Sequence, residues 1–558
     1  MSVGRREFLG KTLLAGSAAL IAPRAMFSQS AESRVEILIN EPIGVVHSNV
    51  YSHFVEHLGG VVYDGIWVGE KSKIANVGGI RKALVDSLKK LKPGVIRYPG
   101  GCFADQYDWR DGVGPREKRP ERVNFWADTT YKAPESYQKV IDGPQKYEPN
   151  WFGTDEFVKF CQLVDAKPYL AANLRSLPAD AFVQWLEYCN APANSTTLAR
   201  QRAANGSKAP YNIEFWGVGN ESWGCGGDFL PEEYAVEFRK FTAWMPTYQT
   251  PPNRNFLKIV GSGPNGGDTG WTRRFFQKLT EKGSGQMNKL YGWALHYYCG
   301  STGKQIANEY NENEWYDLIA RSDRMEGLIK EHWQVMGEFD REHRIKLIVD
   351  EWGAWHWQDA DMPASYLYAY AGTLRDALIS GINLDTFQRH ADKVAMANPA
   401  QLINTIQSLF HAYEDKFIET PNYHVFEMYM PHAGATAVRT DFIAPQVSFS
   451  RFDAAKKEIP VKFWGLNGSA SIKGKTVTLT AVNPDIRATR ETEINIGGAR
   501  IVSAEARVLS STDIRARNSF DNPNGLVPRN ESVTVAAGGR LVYKFAPASV
   551  TRLTLTIA

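Results

Sequence analysis

Long apolar runs, closely spaced cysteines and a dominant charge are all missing from this chain of 558 residues. The five cysteines (Cys102, Cys161, Cys189, Cys225 and Cys299) are dispersed, with no CxxC and no zinc-like spacing. Neither a structural zinc site nor dependence on disulfides is therefore expected, and an odd number leaves at least one thiol without a partner in its own chain. Lys plus Arg number 64 against 61 Asp plus Glu, so no global field draws the protein to nucleic acid or to an anionic membrane. Neither end carries low-complexity sequence. What is abundant is aromatic: 16 Trp and 24 Tyr suit a cleft that holds sugar rings, although a core of this size also consumes such residues.

The N-terminal stretch SVGRREFLGK, with adjacent Arg5 and Arg6, precedes a modestly apolar run from Thr12 to Ala22. A spanning helix needs about 20 apolar residues, so this run reads as a twin-arginine export signal over 1–31. The expectation is an exported protein, periplasmic or extracellular.

After a short strand at 34–46, apolar strands alternate with amphipathic helices. Eight strand candidates are Val50 to Val55, Val95 to Tyr98, Tyr169 to Asn173, Ile213 to Val218, Leu257 to Gly261, Gly292 to His296, Ile345 to Asp350 and Asn383 to Phe387. Such a series predicts an α/β fold, a (β/α)8 TIM barrel over 47–415. Beyond it, alternating segments such as Val477 to Val482 and Leu541 to Phe545 predict an all-β sandwich over 416–558. The strand at 34–46 has no place in the barrel and is expected to join that sandwich.

In such a barrel the C-terminal strand ends share one mouth. Glu56, Arg97, Asn220, Glu221, His296, Tyr298 and Glu351 all fall at strand ends. Glu221 lies in WGVGNESWGCGG, between Trp216 and Trp223, and Glu351 in IVDEWG. A lone acid at a strand end is commonplace, but two across one pocket are what glycoside cleavage requires. Glu351, on a buried strand near Arg97, is expected to be the ionised nucleophile, and Glu221 the proton donor.

These two motifs, with YSHFVEHLGG, VIRYPGGCF and AMANPAQLIN in the same order, make the chain resemble family 51 of the glycoside hydrolases, best known for α-L-arabinofuranosidases. The resemblance implies a barrel with a β-sandwich and a retaining glycosidase that releases terminal non-reducing α-L-arabinofuranosyl residues from oligo- or polysaccharides. It assigns Glu221 as acid/base and Glu351 as nucleophile. It places Glu56, Arg97, Cys102, Asn220, Tyr298 and Gln401 around the sugar, with Cys102 where some members carry Asn. Trp126 is a candidate stacking residue at the start of a long segment, Trp126 to Pro149, that could reshape the leaving-group side. No cofactor or metal is implied, and a homo-oligomer is left open.

Within the family, a retaining β-glycanase or xylosidase is the alternative. Outside it, Gly261, Gly263 and Gly266 spell GxGxxG after a strand, the mark of an NAD-dependent oxidoreductase. That motif sits in the fifth unit, however, where a barrel rim loop explains it better. A non-catalytic glycan-binding protein would share the aromatic cleft without needing opposed carboxylates. His53 and His57 flank Glu56 in the order HxxEH on a strand or loop, which does not make a helical zinc pair.

Overall fold

The computed structural model describes residues 32–558 apart from 129–145, 252, 254, 301–306, 357–361, 364–365 and 453–456. The signal expected over 1–31 and most of the long segment Trp126 to Pro149 thus lie outside the described residues. No described helix is long and apolar enough to cross a membrane.

Eight parallel strands form the barrel: His53–Phe54, Val95–Tyr98, Lys167–Ala172, Phe215–Val218, Lys258–Gly261, Leu290–Gly300, Lys346–Trp355 and Val394–Pro399. Each pairs with the next from first to last. The seam between the last and the first is tied by the Leu402 amide, which donates to the Phe54 carbonyl at 3.1 Å. Inward positions follow the period of two. Val95, Tyr169, Phe215, Val260, Ala294, Ile348, Ala395 and Met396 make one apolar plug. Two residues further along their strands, Arg97, His296 and Asp350 rise above it toward the mouth.

The eighth strand is not where the sequence puts it. Asn383 to Phe387 lies inside the helix Leu374–Arg389, and the strand follows at Val394–Pro399. Every residue of that helix from Leu374 to Gln388 is buried, between the barrel and the C-terminal sheet. A helix covered on all sides shows no amphipathic period, so its apolar run reads as a strand. The first strand is also shorter than expected, because Ser48–Tyr51 forms a 3-10 turn.

The C-terminal sheet has nine strands among the described residues. One apolar cluster draws Ile501 and Val508 from one end of the strand order and Leu541 and Phe545 from the other, so the sheet folds over itself as a sandwich. Ser33–Val45 lies within it, antiparallel to Thr436–Ile443 and parallel to Arg490–Ile496. Where the sandwich meets the barrel helix, Asp385 accepts hydrogen bonds from Thr480 (2.5 Å), Ser469 (2.7 Å) and Tyr429 (2.8 Å). Burial still pushes its pKa up to about 6.

Ile37, fully buried in the sandwich core, makes the N-terminal strand testable. Ile37→Ala is expected to cost about 2–5 kcal/mol. Thermal melting followed by circular dichroism should register it as a lowered Tm, whereas a strand peripheral to the fold would leave Tm unchanged.

Candidate active site

Glu351 reaches the pocket because its strand is irregular. Ala294 pairs with Ile348 but His296 pairs with Glu351, so the seventh strand carries one extra residue against the sixth. A second register shift falls between Val349 and Trp352 against the eighth. Such a bulge re-aims side chains, and it lets the consecutive residues Asp350 and Glu351 both reach the interior.

Glu351 is then gripped from several sides. Arg97 Nη1 donates to its Oε1 at 3.0 Å, and the Tyr298 hydroxyl donates to its Oε2 at 2.7 Å. His296 Nδ1 lies 3.5 Å from the same Oε2. Burial alone raises the pKa of a carboxyl, but His296, Arg97 and Tyr298 outweigh it and hold Glu351 below the ordinary value. Arg97 is itself buried. Burial works against its charge, yet Asp350 and Glu351 raise its pKa overall. Its Nε stands 3.3 Å from Asp350, which also accepts from the Tyr169 hydroxyl (3.1 Å) and the Asn398 amide (2.8 Å). Its remaining nitrogen donates to the Asn220 side-chain oxygen.

Glu221 approaches from the loop after Phe215–Val218. Its backbone is left-handed (φ 37°), a conformation that costs a non-glycine residue about 1–3 kcal/mol. Its neighbours hold it there: the Gly224 and Gly226 amides donate to its carbonyl at 2.8 and 3.1 Å. Oε1 of Glu221 lies 3.1 Å from His296 Nδ1. One histidine nitrogen therefore faces both carboxylates, and an oxygen of each lies within 4.8 Å of the other. Burial disfavours charge on His296, but Glu351 and Glu221 raise its pKa above the usual value.

Across the pocket, Glu56 Oε1 accepts from the Phe103 amide (2.9 Å) and the Trp126 indole (3.1 Å), and Oε2 from Gln401 (2.8 Å). Gly101 makes room for it, since a Cβ there would stand 2.6 Å from the Glu56 carboxylate. Burial raises the Glu56 pKa to about 7, against these hydrogen bonds and with help from Glu351. Trp126 thus meets this site through its indole N–H, and its ring packs edge-on to Tyr368.

Several expectations need correction. Trp216 does not flank Glu221. Phe215 points into the barrel, so its neighbour Trp216 points out, fully buried against Phe182 and Trp185. Cys102 is not a free thiol; it is disulfide-bonded to Cys225 across 123 positions, and the bridge lies against Glu221. Barrel topology joins those two loops, and no local spacing announces the pair. The sequence also gave no role to Asp350 or Asp105, although Asp105 holds the Asn220 amide (3.2 Å) and the Leu174 amide (2.8 Å). The GxGxxG run is a rim loop after the fifth strand, and Gly263 is required because a Cβ would stand 1.7 Å from the Ala294 carbonyl oxygen. His57 spends its ring nitrogens on Glu148 and Tyr98, both at 2.9 Å, while His53 packs against Phe426.

Two carboxylates set across the mouth of a (β/α)8 barrel define the class: a glycosidase. Comparison with known proteins gives the family. Models of the α-L-arabinofuranosidase 1 domain and the α-L-arabinofuranosidase C-terminal domain match residues 87–298 and 350–549. An intracellular exo-α-L-arabinofuranosidase of Bacteroides ovatus is 30% identical, covering 98% of this chain and 100% of its own. An intracellular exo-α-(1→5)-L-arabinofuranosidase of Bacillus subtilis is also 30% identical, covering 91% and 95%. Among solved structures, the family 51 arabinofuranosidase of Xanthomonas axonopodis pv. citri superposes with a TM-score of 0.83 at 31% identity, covering 94% of this chain and 100% of that one. The chain belongs to family 51 of the glycoside hydrolases, the α-L-arabinofuranosidase family. The expectation of export by a twin-arginine signal is overturned by these relatives: those from Bacteroides ovatus, Bacillus subtilis and Acetivibrio thermocellus are all named as intracellular enzymes.

Glu56 gives a pH-linked prediction. Between the ordinary value of 4.5 and about 7 the native state keeps a proton that the unfolded chain has lost, so this group makes stability fall as pH rises through that window. The effect is worth about 3 kcal/mol. Denaturant unfolding of the wild type and Glu56→Gln at pH 5 and pH 8 should show the wild type losing more stability than the variant; equal losses would refute it.

Proposed function

We propose that the protein is a retaining, exo-acting α-L-arabinofuranosidase that works by double displacement on arabinose-containing oligo- or polysaccharides. The observation that carries this reading is the shared histidine, with an oxygen of Glu221 within 4.8 Å of one of Glu351. Retaining glycosidases hold their carboxyls about 5–5.5 Å apart, whereas inverting ones leave about 6.5–9.5 Å for a water.

In the first step a Glu351 oxygen bonds to the anomeric carbon as the glycosidic bond breaks. The departing oxygen takes the proton of Glu221. Water then enters, gives a proton back to Glu221 and displaces Glu351, restoring both groups with configuration retained. Arg97 and Tyr298 keep the nucleophile ionised and aimed. Asn220, fixed through its side-chain oxygen by Arg97 and through its backbone by Asp105, directs one amide N–H at the Cys225 sulfur (3.8 Å) and has the other for the 2-hydroxyl. Glu56, with Gln401 and Trp126 on its oxygens, takes the outer furanose hydroxyls.

Four measurements test this together. A panel of aryl arabinofuranoside, xyloside and glucoside should show turnover of the arabinofuranoside. Glu351→Ala should lower kcat by more than about 10^4-fold, and Glu221→Ala by about 10^2–10^4-fold, less for activated leaving groups that need no proton. Azide should then rescue both variants, giving the retained azide with Glu221→Ala and the inverted azide with Glu351→Ala. Inverted arabinose from the wild type, followed by proton NMR, would overturn the mechanism. Preference for the xyloside or glucoside would overturn the substrate.

A further inference from the structure

The loops after the second and fourth barrel strands are joined by the Cys102–Cys225 bridge, whose sulfurs lie 3.9 and 3.7 Å from Oε2 of Glu221. The three groups are half-buried, open to ions as well as to substrate. The other cysteines differ. Cys161, Cys189 and Cys299 are buried free thiols whose pKa values burial raises, the last to about 12. Thiol chemistry that reaches the pocket is thereby confined to one pair.

The spacing has a meaning beyond the bridge. In a tetrahedral zinc site, Zn–S of about 2.3 Å and Zn–O of about 2.0–2.2 Å set sulfur and oxygen ligands about 3.6 Å apart, close to both sulfur–Glu221 distances. Two thiolates on one such ion stand about 3.8 Å from each other, so the bridge must open first. The third ligand would be the carboxylate assigned above as proton donor, leaving the fourth position to water.

We propose that Cys102 and Cys225, once reduced, capture a thiophilic divalent cation with Glu221 as third ligand, and that the disulfide is what keeps the proton donor free. Reduction by a phosphine breaks the S–S bond. Two electrons pass from phosphorus to the sulfurs, each sulfur takes a proton from water, and the water oxygen ends on phosphorus. The cation then displaces both thiol protons and binds three negative ligands. A disulfide sulfur carries no charge and offers no comparable ligand, so of these three groups the oxidised protein has only the carboxylate to give.

Cadmium is the probe, because its thiolate complexes absorb in the ultraviolet. Titrating the full chain before and after reduction by a water-soluble phosphine should give one cadmium per reduced chain, with a thiolate-to-metal band, and none for the oxidised chain. Activity of the reduced chain should fall by about 10^2-fold or more, since the general acid is lost, and return on chelation with EDTA. Cys102→Ser and Cys225→Ser should each abolish the band whatever their basal activity, while Cys161→Ser and Cys299→Ser keep it. The band reports capture independently of the role given to Glu221, so failure here is distinguishable from failure of the proposed mechanism. No band on reduction, a band without inhibition, or equal inhibition of the oxidised chain would overturn the proposal.

Discussion

The buried guanidinium of Arg97 is the interaction on which the pocket depends. It pairs with Asp350 and Glu351 and fixes Asn220, all in a space closed to bulk water. Without it, two adjacent carboxyls would sit in a low dielectric facing each other, and at least one would take up a proton. Stripping one partner from a buried ion network costs about 3–5 kcal/mol, because the remaining charge is left uncompensated. That cost is offset by further partners: Asp350 has Tyr169 and Asn398, Glu351 has Tyr298, and Arg97 stacks over Phe54. The same contacts stabilise the barrel and keep a carboxylate ionised within it.

That network needs a rigid frame, and the second domain supplies part of one. The helix Leu374–Arg389 packs on the seventh barrel strand on one side and on sandwich strands on the other. Through Asp385 and the sandwich hydroxyls it is pinned by hydrogen bonds as well as by apolar area. The strand carrying Glu351 is therefore backed by an element that cannot shift without disturbing the sandwich. Packed interiors respond to such shifts as units, since there is little free volume to absorb them.

How much of this the sequence discloses depends on whether a feature is periodic or depends on closure. Seven barrel strands and the sandwich strand at the N-terminus carry local apolar patterns, and those are legible. The acids after strand four and on strand seven are legible because each follows an apolar run, although strand seven continues past Glu351 to Trp355. Asn383 to Phe387 misleads because a helix buried all round has no polar face to reveal its period. Trp216 misleads in the opposite way: the alternation that turns Phe215 inward turns its neighbour outward, so adjacency to Glu221 in sequence puts it on the wrong side of the wall. Asp350 and Cys225 acquire partners only when the barrel closes, and nothing within ten residues of either names Arg97 or Cys102.

The two carboxylates end in unlike settings, and the difference follows from their backbones. Glu351 sits on a strand, bulged but laddered on both sides, with its side chain only 6% exposed. Glu221 sits on an irregular loop in a left-handed conformation, its side chain 18% exposed. On the mechanism proposed above, the group that bonds to carbon gains from fixity, because a misplaced nucleophile loses the orientation on which its rate depends. A group that must give a proton and later recover one needs contact with the substrate's oxygen and then with water. His296 links the two by facing both oxygens. In the mechanism proposed above, Glu351 loses its negative charge on bonding to the sugar, and the field that raises the histidine's proton affinity weakens. A single nitrogen thus faces both the fixed group and the exposed one.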